Sequence, residues 1–242
     1  MDRRFYDLDI QSELSSGDDS IQELADRAKK LGFDGLAVSD YVAEEKDIER
    51  TAQAIEGAEA PLDLHLGAKL RPEDPEDLKD MLRRFRERVE VVVVHGGDAE
   101  VNRAASSDSR VDVLAHPERD RTDSGLDHVI ARQAAENNVA VQLNLRQLLE
   151  TYGKVRMHVL SHMRRNVRLC EHFGAPLIAS SGASSVWHLR APRELSAFPR
   201  ILGLDLKESF GTVAEVPERV LERAEEVTSD EFVRPGVEVV QD

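Results

Sequence analysis

The feature that most constrains the fold is a regular alternation of short apolar runs with amphipathic segments of helical period. The first apolar run is Tyr6–Ile10, and the most apolar is Val91–His95, which places four consecutive valines before a histidine. A continuous β-branched run of this kind is typical of a strand that is covered on both faces. Repeated strand–helix units predict a parallel sheet, either closed into a barrel or open and doubly wound.

The alternation predicts seven strands, which lie at residues 6–10, 35–39, 62–69, 91–95, 111–115, 139–144 and 176–180. An eighth strand at residues 201–204 would complete a barrel, and the sequence leaves the choice between seven and eight open. The clearest helices are predicted at residues 20–31, 44–55, 75–88, 127–137, 155–173, 192–198 and 217–227. A chain of 242 residues is typical of a single α/β barrel. We therefore predict one domain at residues 1–228 and a flexible acidic tail at residues 229–242.

Polar side chains stand at the ends of nearly all the predicted strands. They are Asp7, Asp9, Asp40, Lys69, His95, His116, Asn144 and Ser181. In a barrel the carboxyl ends of all strands meet at one mouth, which is where sites in that fold lie. An open sheet would spread the same residues along an edge. The sequence therefore predicts a TIM-barrel-like (β/α) barrel of class α/β.

Two interpretations of this mouth compete. In the first, His95, His116, Asp7 and Asp9 are ligands of a metal that activates water against a phosphoester. In the second, they are hydrogen-bonding and packing groups inherited from such a site. Their spacing does not separate the two.

Charge is unevenly distributed along the chain, whose formal net charge is −15. Residues 146–200 contain nine Lys or Arg against three Asp or Glu, a net charge of +6, whereas residues 1–145 carry −14 and residues 201–242 carry −7. Only seven of the 32 basic residues are lysine, and with the many acids this indicates a haloarchaeal protein adapted to molar salt. At about 1 M salt the screening length is roughly 3 Å, so close contacts such as paired arginine–phosphate hydrogen bonds decide binding.

The compartment is predicted from three features. The N-terminal residues form no apolar signal region, and no apolar run approaches the roughly 18 residues of a membrane span. Cys170 is the single cysteine, so it cannot form an internal disulfide. We expect a cytoplasmic protein with no membrane partner.

Six segments carry a resemblance to a known family. They are YDLDI (6–10), LGFDG (31–35), VHGGDAEVNR (94–103), DVLAHP (112–117), QLNLR (142–146) and LRAPREL (189–195). In this order, over residues 5 to about 205, they resemble the ribonuclease P protein component 3 family of archaea and eukaryotes. That family is similar in turn to the polymerase and histidinol phosphatase superfamily, a group of (β/α) barrels.

The sequence departs from the metal-binding pattern of that superfamily. Its metal-dependent members have His-x-His at the end of the first strand and Asp-x-His near the last. This chain has Asp9 and Gln11 at the first place, Gly182 and Ser184 at the second, and Lys69 where the superfamily has a glutamate. Because a multinuclear centre needs most of its ligands to hold its geometry, this departure argues against a working multinuclear centre and predicts a protein without bound metal. One weakly bound ion at the remaining pair, His95 and His116, stays open as an alternative.

The resemblance implies a protein subunit of ribonuclease P, the endoribonuclease that removes the 5′ leader from precursor tRNA. In archaea the RNA subunit carries the chemistry and uses Mg²⁺, so we expect no catalytic residue and no cofactor in this chain. The implied partners are ribonuclease P RNA, protein component 2 by direct contact, the other archaeal ribonuclease P proteins, and precursor tRNA as the holoenzyme's substrate. The alternatives are a metal-dependent phosphoesterase of the superfamily and a protein-interaction barrel that touches no RNA.

Twelve side chains are candidates to contact RNA, whose helices offer phosphates and 2′-hydroxyls more readily than base edges. They are Lys69, Arg71, His95, Arg103, His116, Arg119, Asn144, Arg146, Arg156, Arg164, Arg168 and Arg190. Structural alternatives stay open, such as a solvated Lys69, an ion pair of Arg103 with Glu100, or a buried His116 that fixes its loop. Four further arginines have acidic neighbours and are interpreted as surface ion pairs, namely Arg83, Arg84, Arg86 and Arg88.

Overall fold

A computed structural model describes residues 3–228, 232–234 and 237–238. Its main sheet has seven parallel strands, which are hydrogen-bonded in the same order as they occur along the chain. They are β1 (Tyr6–Ile10), β2 (Gly35–Tyr41), β3 (Asp63–Leu70), β4 (Val91–His95), β5 (Val113–Ala115), β6 (Ala140–Asn144) and β7 (Leu177–Ser180). All seven predicted strands are present, and the prediction of a TIM-barrel-like fold is confirmed.

Helices surround the sheet, and the part of the chain that the structure describes contains ten. They are α1 (Ile21–Leu31), α2 (Glu45–Glu56), α3 (Pro75–Phe85), α4 (Ala99–Ser107), α5 (His128–Glu136), α6 (Leu145–Leu149), α7 (Gly153–Phe173), α8 (Pro192–Leu202), α9 (Leu206–Gly211) and α10 (Glu215–Thr228). Ser20, Asp74, Asp98 and Asp127 accept hydrogen bonds from the first turns of α1, α3, α4 and α5. No helix among these is long and apolar enough to cross a membrane.

The valine run of β4 shows how the sheet is covered on both faces. Val91 and Val93 lie in the barrel interior, in one cluster with Val220 and Leu221 of α10. Val92 and Val94 point the other way, into the cluster between the sheet and its helices. Each fully buried side chain of this size contributes roughly 1.5–3 kcal/mol. The continuous apolar run is therefore needed because the two alternating faces of one strand are both buried.

Between β7 and β1, where a closed barrel would have an eighth strand, the residues that the structure describes contain none. The N–H of Tyr6 donates to the carbonyl of Val213 and the N–H of Ala179 to that of Thr212, both at 3.0 Å, so a short segment bridges the gap. The N–H of Ser181 donates to the Asp7 carboxylate at 3.0 Å. Residues 201–202, considered for an eighth strand, are instead the last turn of α8.

Several boundaries differ from the prediction. The helix predicted at residues 75–88 ends at Phe85 and continues as a 3₁₀ turn, Arg86–Arg88. The short helices α6 and α9 were not predicted. In the segment predicted as an acidic tail, the structure describes β8 (Phe232–Arg234) and β9 (Val237–Glu238), which pair antiparallel. The rest of that segment lies outside the described residues, and the flexible tail stays a prediction there.

The interpretation of Arg83, Arg84, Arg86 and Arg88 as surface ion pairs is wrong for Arg86. Its guanidinium donates to Asp112 at 2.7 Å, and the two side chains are only 6% and 1% exposed. Asp112 also accepts the N–H of Val92 at 2.8 Å, which ties the start of β4 to the residue before β5. Arg83 and Arg88 do form exposed ion pairs, with Asp80 and Glu45. Arg86 is therefore part of the structural core.

The variant Arg86→Met tests this role. It leaves Asp112 as an uncompensated buried charge, so we expect a loss of about 3–5 kcal/mol in the free energy of unfolding. The control Arg83→Met breaks an exposed pair and should change it by about 0.5 kcal/mol or less. Denaturant unfolding of both variants at high potassium measures the difference, and equal losses would contradict the assignment.

Candidate nucleic-acid interface at the barrel mouth

The centre of the mouth is a buried ion pair. The ammonium of Lys69, at the end of β3, donates to both carboxylate oxygens of Asp9 on β1, at 2.8 and 2.7 Å. Both side chains are 1% exposed. Burial acts to raise the pKa of Asp9, but the charge of Lys69 and the hydrogen bonds from Lys69 and Gln142 hold it below its ordinary value. Asp9 is therefore an ionised carboxylate fully occupied by protein donors.

Side chains from β6 complete this centre. Gln142 donates to Asp9 at 2.7 Å, and the Asn144 amide lies 3.4 Å from the same carboxylate oxygen. The side-chain oxygen of Asn144 accepts the N–H of Gln147 at 3.1 Å and so caps α6. Gly182 has φ +64, and a Cβ there would lie 2.4 Å from Asn144. The glycine at the position where the superfamily has a metal ligand is thus required by space and by backbone conformation.

The two mouth histidines belong to the same polar network. Their rings lie 4.9 Å apart, with the hydroxyl of Tyr41 2.8 Å from Nδ1 of His95. Nδ1 of His116 donates to the side-chain oxygen of Gln147 at 2.9 Å. Burial, followed by the nearby Lys69 ammonium, lowers the pKa of His95 to about 3, and it lowers the pKa of His116 as well. Both rings are therefore neutral at pH 7 and hold each other's positions.

The residues at the mouth do not fit the metal cluster that the fold family uses. Asp9 already accepts hydrogen bonds from the Lys69 ammonium and the Gln142 amide, so its carboxylate is not free to bind a divalent ion. Among the described residues, no three His, Cys, Asp or Glu side chains come together in a group that could hold a metal ion. A multinuclear centre needs such a group.

A cavity of about 630 Å³ opens above this centre. Its floor includes His116, Glu118 and Asn144, and α7 supplies one wall through Val155 and Val159. The rim carries charged side chains of both signs, which are Arg119, Asp120, Arg121, Arg146 and Glu150. The cavity is thus bordered by charged side chains of both signs and lies beside the Lys69–Asp9 ion pair, whose charges cancel.

The loop that forms one side of the cavity is held in place by buried amides. Asn102 donates to the carbonyls of Pro117 and Gly125 at 2.9 and 3.0 Å, and Asn166 of α7 donates to that of Ser124 at 2.8 Å. Gly125 has φ +72, and a Cβ there would lie 1.8 Å from the carbonyl oxygen of Pro117. This loop is therefore preorganised rather than open to rearrangement.

The structure divides the twelve predicted contacts into groups. Four are buried inside the mouth, namely Lys69, His95, His116 and Asn144. Lys69 in particular is neither solvated nor exposed to a phosphate, because Asp9 uses its ammonium; its assignment as an RNA contact does not fit this location. Two lie on the cavity rim, Arg119 and Arg146. The other six lie outside that rim, at Arg71, Arg103, Arg156, Arg164, Arg168 and Arg190.

The exposed arginines differ in how they are held. Arg103 pairs with Asp127 at 3.8 Å rather than with Glu100. Arg156 and Arg190 donate to backbone carbonyls, and Arg146 pairs with Glu150. In the described part of the chain, Arg71 and Arg168 have no hydrogen bond or ion pair. Arg71 lies beside a second, shallower pocket with Glu73 and Arg84.

The residues of the site that were missed from the sequence include Tyr41, Gln147 and Glu118. Tyr41 and Gln147 give no signal, since each acts through a partner that is distant along the chain. Glu118 follows His116 at the end of β5, and its place at a strand end was a usable signal. It is buried, and neither of its carboxylate oxygens has a hydrogen-bond partner among the described residues.

Fold and mouth together define a class: a (β/α) barrel of seven parallel strands whose mouth is centred on a buried lysine–aspartate ion pair. The fold is similar to that of histidinol phosphate phosphatase from Lactococcus lactis, with a TM-score of 0.53 over 91% of this chain and 94% of that one. At 9% identity this likeness shows the fold alone. The sequence model of the family described as RNase P subunit p30 matches residues 4–228. The chain belongs to that family.

Relatives and a solved structure agree with this assignment. The chain is 34% identical over 237 residues to ribonuclease P protein component 3 of Methanosarcina mazei, covering 98% of this chain and 96% of the relative. It is 33% identical over 229 residues to that of Haloarcula marismortui, covering 93% and 94%. It is also similar to a chain in the cryo-EM structure of archaeal ribonuclease P with mature tRNA, with a TM-score of 0.80, 29% identity and coverage of 97% and 98%. The chain is a protein subunit of ribonuclease P, as the resemblance implied.

The variant Lys69→Met tests the ion pair at the centre. In the wild type the pKa of Asp9 is lower in the folded protein than in the unfolded chain. The ionised carboxylate therefore stabilises the fold at pH values above its pKa in the unfolded chain, and this stability is lost as the pH falls. Without the cation, burial raises the pKa of Asp9, so the variant is destabilised near neutral pH and recovers as the carboxylate protonates. We expect a loss of about 3–5 kcal/mol at pH 7 that becomes smaller towards pH 4.

Denaturant unfolding across this pH range measures the difference between the two proteins. Arg71→Met, an exposed cation close in sequence, is the control and should stay within about 0.5 kcal/mol of the wild type throughout. A loss for Lys69→Met that does not change with pH would show that Asp9 is not the group left unpaired.

Proposed function

We propose that this subunit binds and stabilises the catalytic RNA of ribonuclease P through arginines on the rim of the mouth and along α7, and takes no part in bond cleavage. The observation that carries the proposal is the buried Lys69–Asp9 pair, which leaves the centre of the mouth neutralised and its carboxylate occupied by protein donors. What remains accessible is a set of guanidinium groups. Arginine presents a planar fork of donors that matches phosphate, so it suits backbone binding at high salt.

Helix α7 provides the most continuous basic surface. Arg164 and Arg168 are both exposed and lie four residues apart, so they share a face of the helix. Arg164 donates to the carbonyl of Ile201 at 3.3 Å, which fixes its guanidinium beside the end of α8. Arg168 has no ion-pair partner within the described ranges. The like charges on this face repel each other, so the face favours an anionic partner.

Partners and conditions follow from the family. The similar chain lies in archaeal ribonuclease P with mature tRNA, which supports ribonuclease P RNA, the other protein subunits and precursor tRNA as the partners of this one. Direct pairing with component 2 is the partner expected from the family resemblance. In this proposal the RNA subunit uses the Mg²⁺, the protein binds no metal or cofactor, and the complex works in the cytoplasm.

The double variant Arg164→Ala with Arg168→Ala tests the basic face. Each lost phosphate contact should reduce the slope of log affinity against log salt by roughly 0.7–0.9, and the two together should weaken binding to ribonuclease P RNA about tenfold or more. Filter binding with the other protein subunits present measures both quantities. The matched control is Arg83→Ala with Arg84→Ala on α3, which should leave the affinity and the salt slope unchanged. If the two double variants bind the RNA with equal affinity, α7 is not part of the interface.

Hydrolysis by the isolated protein tests the proposal against the phosphoesterase alternative. Because the mouth lacks a group of metal ligands, we expect no turnover of bis(p-nitrophenyl) phosphate above the buffer rate with added manganese or zinc. Sustained turnover that is abolished by His95→Ala would contradict the proposal. The same protein must restore cleavage when it is added to the RNA and its other subunits, which shows that the preparation is active.

A further inference from the structure

Trp187 is the single tryptophan of the chain, and the loop after β7 holds it out into solvent. The residue is 79% exposed. From Ala175 to Pro192 it is the one exposed residue, because all the others are buried or half-buried. A tryptophan that packs buries about 150–250 Å², so a ring left in water forgoes a large apolar contact. An exposed ring on an otherwise packed loop is the arrangement expected of a ring that a partner covers.

Hydrogen bonds fix the backbone on both sides of this ring. The N–H of Val186 donates to the Asp19 carboxylate at 2.7 Å, and the N–H of Trp187 donates to the hydroxyl of Ser185 at 3.3 Å. The N–H of His188 donates to the carbonyl of Ser185 at 3.0 Å. The loop is therefore preorganised, and a partner that covers the ring does not have to order the backbone first.

A guanidinium lies beside the backbone of the tryptophan. Nη1 of Arg190 donates to the carbonyls of Trp187 and Leu189 at 2.8 and 2.9 Å. Within the described residues, Nε and Nη2 of Arg190 have no hydrogen-bond or carboxylate partner, and neither atom is buried. These two nitrogens form one edge of the planar fork that binds a phosphate through paired hydrogen bonds. The loop therefore places an open aromatic face next to an available anion-binding edge.

The same loop adjoins the rim of the mouth. Nη1 of Arg146 lies 3.4 Å from the carbonyl oxygen of Gly182, to which it donates, and both residues line the cavity. Arg146 is one of the rim arginines that are proposed above to bind RNA. Trp187 therefore stands on a loop that is continuous with that surface.

A nucleotide combines the two features that this loop can bind. Its base has a flat face that stacks on aromatic rings when the base is unpaired, and its phosphate fits the free edge of an arginine. A tryptophan at the centre of a protein interface is instead surrounded by further contacts that exclude water. In the described residues from Ser181 to Ala191, the loop offers no second large apolar side chain that is exposed.

We propose that Trp187 stacks on an unpaired base of the ribonuclease P RNA and that Arg190 binds a neighbouring phosphate. This inference rests on the proposed function and adds a contact that does not depend on charge. Because stacking releases no counterions, its contribution to affinity is kept at molar salt, where interactions between charges are screened.

Filter binding to ribonuclease P RNA, with the other protein subunits present, tests the proposal. Trp187→Ala should weaken binding at least about fivefold without changing the slope of log affinity against log salt. Trp187→Phe keeps a stacking ring and should stay within about threefold of the wild type. Arg190→Ala should instead reduce the slope by roughly 0.7–0.9. As a control, Leu206→Ala removes an apolar side chain that is 57% exposed on α9 and should bind like the wild type.

A fluorescent analogue reports on the ring itself. The chain is prepared with 5-hydroxytryptophan at position 187, which can be excited separately from the tryptophans of the other subunits. We expect its emission to be quenched when ribonuclease P RNA is added to the assembled proteins, and to be unaffected by those proteins alone.

Four outcomes would overturn the proposal. They are a smaller loss of affinity for Trp187→Ala or one that alters the salt slope, binding by Trp187→Phe as weak as that of Trp187→Ala, an unchanged salt slope for Arg190→Ala, and quenching by the other proteins before RNA is added. The last of these would assign the ring to a protein interface. The proposed function fails separately, and only if the wild-type protein itself shows no affinity for the RNA.

Discussion

The ion pair between Lys69 and Asp9 is the interaction on which the barrel mouth depends. Withdrawing two charges from water costs several kcal/mol for each ion, so both must be surrounded by hydrogen bonds to be tolerated. The barrel meets this demand by placing Gln142 and Asn144 of β6 against the same carboxylate. The pair therefore links β1, β3 and β6 across the interior. It also explains why Gly182 must be a glycine, since Asn144 occupies the space of any side chain there.

Because the ion pair occupies and neutralises the centre of the mouth, the groups that remain available for binding lie around it. Here the accessible groups are arginines of the surrounding loops and of α7, together with the cavity beside them. In the proposed function this surface binds and orients a folded RNA, and the arrangement suits a subunit whose partner performs the chemistry.

Much of the fold could be predicted from the sequence because its signals are local. The alternation of apolar runs with amphipathic segments predicted all seven strands of the barrel, and the polar strand ends correctly predicted a convergent mouth. The roles of Lys69 and Arg86 could not be predicted in this way. Each is a cation, a type of side chain that is usually exposed to solvent. Only pairing with a carboxylate on another strand or loop, Asp9 or Asp112, places it in the core. The short helix α6 was missed for a similar reason, because its cap, Asn144, was assigned to the strand alone.

The central claim is that this subunit supports an RNA catalyst through a barrel that needs no metal of its own. The most direct measurement is single-turnover cleavage of precursor tRNA by the ribonuclease P RNA and its other proteins at high potassium, with and without this chain. The chain is first stripped of transition metals with a chelator, and Mg²⁺ is the only divalent ion supplied. We expect the stripped chain to raise the cleavage rate as fully as the untreated one. A rate that rises only after zinc or manganese is returned would contradict the account.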